Sequence, residues 1–145
     1  MQEDRPITFR QALSQLEDYI ALEKIRYGDR LHFVKDIRAE DFMLPSLILQ
    51  PIVENALEHG LKQKPEGGTI ILRTWEADDE IRILVEDDGI GFDTEVPQDK
   101  RSVGLKNVSF RLQHMMHGRL TINSSPEKGT IVTISIPRKE AEECM

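Results

Sequence analysis

The sequence predicts an α+β fold, a mixed sheet covered on one face by helices, and three observations carry that prediction. Apolar residues recur at helical spacing in segments 8–28, 44–61 and 104–118. Two-residue alternation marks 69–77, 80–87, 119–125 and 129–137, in pairs joined by short turns. The resulting order is helix, strand, helix, strand, strand, loop, helix, strand, strand, in which hairpins and intervening helices together suit one layer of sheet under one layer of helix.

Each element has its own signal. In 8–28, Leu13, Leu16 and Ile20 share a helical stripe, Tyr27 lies two turns on, and Gly28 ends the segment. The stripe suits docking against another helix. RLHFVKDI (30–37) reads as a strand. The run LPSLILQPIVENALEHGL (44–61) reads as a helix with Pro45 in its first turn, where proline costs little. Pro51 should then bend that helix or make its start irregular. Strands 69–77 and 80–87 flank a tight turn at Asp78 and Asp79. Segment 89–104 has no periodicity and reads as a mobile loop. Gly104 opens a helix with Leu105, Val108, Leu112 and Met115 on one stripe, and Gly118 closes it. The last two strands are separated by a turn from Pro126 to Gly129.

Composition narrows the function classes. At 145 residues the chain suits one domain, and its apolar and charged fractions suit a soluble globular protein. No apolar run approaches the roughly 20 residues needed to cross a bilayer, and the start MQEDRPITFR does not resemble a signal peptide. A single cysteine, Cys144, excludes an internal disulfide framework and a cysteine metal cage, and fits the cytoplasm. The net charge of -7 argues against a nucleic-acid surface, so any bound anion must be held locally.

Polar residues enter apolar stripes at three places. Leu44, Ile48, Ile52, Asn55 and His59 are spaced by helical intervals, so Asn55 and His59 continue a stripe that begins apolar. Asp87 ends the face of Ile81, Ile83 and Val85, and Thr130 opens the face of Val132, Ile134 and Ile136. Each has a plain alternative: Asn55 as a cap, Asp87 as the start of a Gly turn, Thr130 bonded to a neighbour. A functional alternative suits all three together. A carboxylate at a buried strand end can accept from a purine amine, and a nearby hydroxyl can complete the recognition. Gly89 and Gly91 leave room for a ring, Gly104 at a helix start would offer free N–H groups to phosphate, and an Asn oxygen suits Mg²⁺.

These residues lie in recognisable motifs. EN in PIVENALEHG, DDGIG, VGLKNV and GTIVTISIP resemble, in order, the asparagine, first glycine, second glycine and final GT motifs of the Bergerat-fold (GHKL) ATP-binding domain of histidine kinases. QPIVENALEHG followed by GLKNVSFRL resembles the LytS-type sensor histidine kinases. The resemblance covers about residues 30–138 and implies a two-layer α/β sandwich with a mixed, mostly antiparallel sheet. It also implies a division into a remnant of a helical dimerisation segment (1–28), an ATP-binding domain (29–140) and a tail (141–145).

The resemblance further implies that Asn55 ligates Mg²⁺, Asp87 accepts from the adenine amine, and Gly89 and Gly91 shape the adenine pocket. Thr130 would support Asp87 through water, and residues 92–103 would form a lid ending at Gly104 and Leu105 near the phosphates. His59 would lie near the phosphates, and Glu54 is the candidate acid/base. Two positions depart from the pattern: Glu58 stands where many relatives carry lysine, and Ser102 replaces the first glycine of a GxGL motif. Lys100, Arg101 and Lys106 could supply the missing positive charge, or be solvated lid residues.

By resemblance, then, the expected substrate is Mg·ATP, whose γ-phosphate passes to a histidine on a separate segment of the same or a partner kinase subunit. A response regulator would receive it, and the whole protein would be a homodimer anchored in the bacterial inner membrane by other segments. The N-terminal helix carries no histidine, so the acceptor is expected upstream of this piece. An ATP hydrolase is a competing class, but Pro51 occupies the position where that branch carries its general base. A nucleotide-binding, anti-sigma-like serine kinase is the other.

Overall fold

The computed structural model describes residues 5–59, 61, 64–91 and 100–143. Strand β1 (Pro6–Thr8) leads into helix α1 (Phe9–Tyr27). Thr8 caps this helix reciprocally: its hydroxyl accepts from the Gln11 N–H, and the Gln11 side chain accepts from the Thr8 N–H, each at 3.1 Å. Gly28 ends it with a φ of 62°. After a single 3₁₀ turn come β2 (Leu31–Ile37), β3 (Met43–Pro45) and α2 (Leu49–His59), then the hairpin of β4 (Gly68–Ala77) and β5 (Glu80–Asp87). Helix α3 (Lys100–Met116), the hairpin of β6 (Arg119–Ser124) and β7 (Thr130–Pro137), and the short α4 (Arg138–Glu143) complete the fold.

The main sheet has five strands in the order β2-β4-β5-β7-β6. Only the β2–β4 pair is parallel, so the sheet is mixed and mostly antiparallel, as expected. Its helix-covered face carries Ile70, Leu72 and Thr74 of β4, Ile81, Ile83 and Val85 of β5, and Val132, Ile134 and Ile136 of β7, all buried. Thr74 is polar in this company but satisfied: its hydroxyl donates to the Ala39 carbonyl at 2.5 Å and accepts from the Ala39 N–H at 3.2 Å. Above the sheet, α2 packs against both α1 and α3. Helix α1 also enters the core directly, because Phe9 stacks on Phe42 at 4.9 Å and β1 pairs with β3.

Two details correct the sequence reading. The helix expected from Pro45 begins only at Leu49, because proline in a helix interior removes a hydrogen bond and collides with the preceding turn. Starting at Leu49 puts Pro51 in the first turn, and Leu47, at a φ of 57°, breaks the chain ahead of it. Leu44 and Ile48 are therefore buried from β3 and its turn, and only Ile52, Asn55 and His59 of the proposed stripe share a helix. Helix α3, conversely, starts earlier than expected, at Lys100, so Gly104 is inside the helix rather than at its opening. Its inner face is Leu105, Val108, Leu112 and Met116, with Met115 only half-buried. After the last strand, Ala141 is fully buried in α4, a helix too short to show periodicity.

Candidate functional site

Asp87 closes β5 and Thr130 opens β7, and the antiparallel register sets them directly opposite each other on the helix-covered face. Both are nearly inaccessible, at 6% and 7% exposed. One carboxylate oxygen of Asp87, Oδ1, accepts from the Gly89 N–H at 2.8 Å. Among the described residues that is its only donor, although a carboxylate has about four lone-pair sites. The carboxyl pKa is accordingly pushed up to about 6, chiefly by burial. The Gly89 N–H opposes the shift, the neighbouring Asp88 and Glu86 add to it, and Lys64 counters it.

The turn after Asp87 is fastened on both sides. Toward β4, the Asp88 carboxylate accepts from the Thr69 N–H at 2.8 Å, and Lys64 Nζ donates to the Asp88 carbonyl at 2.7 Å. The carboxylate also lies close over Gly68, where a Cβ would make the Asp88 and Leu61 side chains shift. Toward β7, Ile90 accepts from the Glu127 N–H, and a Cβ on Gly91 would run into the Ser125 carbonyl. Gly129, at a φ of 77°, passes so close to Asp87 that a Cβ would strike its carbonyl oxygen. Behind Thr130, the Ser124 hydroxyl donates to the Gly129 carbonyl at 2.9 Å and lies 2.8 Å from Thr130 Oγ1.

Asp87, Gly89, Gly91 and Thr130 are thus gathered at one end of the sheet. The other expected site residues lie on helices. Asn55 is half-buried on α2, and no hydrogen bond holds its side chain among the described residues. Glu54, also half-buried, accepts from Gln50 Nε2 at 3.3 Å. Glu58 pairs with Arg26 of α1 at 3.6 Å. His59 is the last residue of α2, and its side chain lies outside the described residues. Leu105 is turned into the core, and Lys106 is exposed. Gly104, with open space around it, is not at a helix N-terminus, so its N–H is not among those left free there. Lys100, Arg101 and Ser102 belong to the first turn of α3, where their side chains are outside the described residues, as are residues 92–99 of the expected lid. Sequence reasoning missed Lys64, Asp88, Ser124 and Gly129; of these only Gly129, beside Thr130 in the GT pair, carried a local signal.

The donor set can be tested against Mg²⁺. Among the described residues no three His, Cys, Asp or Glu side chains cluster into a metal site. A lone amide oxygen such as that of Asn55 fits Mg²⁺ in one circumstance, where phosphate oxygens and retained waters supply the rest of the octahedron.

Comparison with known proteins follows the same line. Residues 41–140 match the family described as histidine kinase-, DNA gyrase B- and HSP90-like ATPase. The chain is 42% identical over 137 residues to the putative uncharacterized protein YwpD of Bacillus subtilis, covering 89% of this chain and 49% of that protein. It is 34% identical over 149 residues to the sensor histidine kinase YpdA of Escherichia coli, covering 96% of this chain and 26% of that protein. The chain therefore spans half or less of the length of these relatives. Among solved structures, the histidine kinase domain of a blue-light activated histidine kinase from Erythrobacter litoralis superposes with a TM-score of 0.71 at 21% identity. That superposition covers 95% of this chain and 64% of the other, and shows a shared fold.

Proposed function

Because the chain belongs to the histidine kinase-, DNA gyrase B- and HSP90-like ATPase family, we propose that it is the ATP-binding catalytic domain of a sensor histidine kinase of the LytS type. One observation carries the assignment of the base site: a buried carboxylate, Asp87, meets a single internal donor among the described residues and faces Thr130 across the β5–β7 ladder. A buried carboxylate so poorly satisfied is costly unless a ligand donates to it. The adenine amine is that donor. Gly89 and Gly91 form the turn under the ring, and Thr130 stands beside the carboxylate.

Asn55 would hold Mg²⁺, which when bound would supply neutralisation of phosphate charge. Glu54 is the candidate acid/base one residue away, and His59 lies a turn further along α2, toward the phosphates. Lys100 and Arg101, in the first turn of α3, are the candidate sources of positive charge for the phosphates, and the Leu105 side chain anchors that helix from the core. Gly104 contributes through the absence of a side chain in the second turn. The chemistry is phosphoryl transfer, driven by positioning and charge neutralisation, to a histidine on a segment beyond this chain. In this reading residues 1–28 continue the helical segment that carries the acceptor and pairs two kinase subunits, and a response regulator takes the phosphoryl group onward. The whole protein is anchored in the inner membrane by other segments; among the described residues no helix is long and apolar enough to cross a membrane. Pro51, without an N–H or a titratable group in the first turn of α2, argues against the hydrolase branch.

The test is a calorimetric titration with Mg·ATP on the protein and on Asp87→Asn. Binding that weakens at least tenfold in the variant supports the adenine site, and unchanged affinity removes it. Incubation with γ-labelled ATP should leave no phosphohistidine on the isolated chain.

A further inference from the structure

Two hydroxyls sit behind the carboxylate, and their protons can be counted. The Gly129 carbonyl can only accept, so the bond from Ser124 Oγ at 2.9 Å uses the one hydroxyl hydrogen that Ser124 has. Ser124 Oγ is also 2.8 Å from Thr130 Oγ1. With the serine hydrogen committed, that second contact has one polarity: Thr130 donates and Ser124 accepts. Thr130 Oγ1 is left with lone pairs and no hydrogen for anything else.

The consequence falls on Asp87, directly opposite Thr130 in the ladder. Threonine beside a buried carboxylate would ordinarily donate to it, and Asp87 receives no such bond; its donor is the Gly89 N–H. We infer that Ser124 is a specificity-determining positioning residue of the nucleotide site, drawing the Thr130 hydrogen away so that Asp87 and Thr130 face the pocket as two adjacent acceptors. Such a pair is matched by a donor-rich group, the primary exocyclic amine of a purine, directly for Asp87 and directly or through one water for Thr130. The inference rests on the adenine site proposed above and adds the residue that sets its hydrogen-bond polarity.

Removing the Ser124 hydroxyl should release the Thr130 hydrogen toward Asp87, where the new internal bond competes with the ligand amine. Ser124→Ala is therefore expected to weaken Mg·ATP roughly 3- to 10-fold, the range one competing neutral hydrogen bond gives. The effect must pass through the Thr130 hydroxyl, so a double-mutant cycle isolates it. In a Thr130→Val background, Ser124→Ala should change affinity less than about twofold, because no hydroxyl remains to compete. Ser124→Thr keeps an acceptor and a donor at the same place and should retain the affinity of the unmodified protein.

Calorimetry with Mg·ATP on the 145-residue chain, with Asp87→Asn alongside, separates the outcomes. Weak binding by Asp87→Asn, weaker binding by Ser124→Ala, rescue by Ser124→Thr and no further loss in the Thr130→Val background support the inference. Weak binding by Asp87→Asn with Ser124→Ala either neutral, or equally damaging in both backgrounds, overturns the role of Ser124 and leaves the adenine site standing. Normal binding by Asp87→Asn overturns the adenine site itself.

Discussion

The strongest prediction is that the substitution that destroys nucleotide binding stabilises the empty protein. Asp87 is 6% exposed, and its carboxyl pKa is pushed from an ordinary 3.8 up to about 6 by burial. Between those two values the folded chain holds a proton that the unfolded chain has released. Unfolding stability therefore falls as pH rises through that window, by about 1.4 kcal/mol per unit. Over roughly two units the ionised form costs the empty fold about 3 kcal/mol, present in full above pH 6 and absent below the unfolded value. Asp87→Asn removes that charge and keeps the shape, and its oxygen can still accept from Gly89. At pH 8 the variant should unfold higher than the parent, by several degrees for each kcal/mol recovered in a domain of this size. At pH 5 the folded parent keeps its proton but the unfolded chain has released it, so about half of the gain should remain, and it should vanish only below the unfolded value of 3.8. Thermal melts without nucleotide at pH 5, 6.5 and 8 measure this directly. A variant whose offset from the parent is the same at all three values would show that the carboxylate is not desolvated, and the argument from burial would fail.

Other perturbations have signs that the structure fixes. Gly129→Ala forces a Cβ against the Asp87 carbonyl at a φ of 77° and should cost more than about 2 kcal/mol in denaturant titration. Gly104→Ala should do the reverse, adding up to about 1 kcal/mol, since Gly104 lies inside α3 with open space beside it; a destabilised Gly104→Ala protein would contradict a helix beginning at Lys100. Thr74→Val leaves the Ala39 carbonyl and N–H without partners in a fully buried place and should cost about 2–3 kcal/mol, read from the same titrations. Asn55→Ala should abolish the magnesium dependence of ATP binding while leaving the melting temperature within a few degrees, because its side chain makes no hydrogen bond among the described residues; ATP binding that stays magnesium-dependent would remove Asn55 as the ligand.

What the sequence could reveal depended on whether a signal was local. Strand β5 was readable to the residue because alternation from Ile81 to Asp87 needs only a period of two, and the polar intruder at its end announced the site. Thr130 followed from the same rule, and the register that sets the two opposite each other is a consequence of a short hairpin pairing β6 with β7 and of β7 lying beside β5. The start of α2 was misplaced because an apolar run has no phase of its own: Leu44 and Ile48 are buried, but from a strand and a turn. Only the proline rule, applied at Pro51 instead of Pro45, identifies the true first turn.

Ser124 marks the limit of such reading. It occupies a half-buried position on an edge strand, among other small polar residues, and nothing in RLTINSS distinguishes it. Its significance comes from a carbonyl five residues away that can only accept, and from a hydroxyl six residues away whose hydrogen must then go to it. Proton direction is set by the groups around a hydroxyl, so it is not legible from the sequence of one strand. The buried carboxylate has the opposite character, since its cost is set by its own burial and appears in the sequence as a charge where an aliphatic residue belongs. A site that combines the two advertises where a ligand binds through the expensive group, and settles which ligand is accepted through the inconspicuous one.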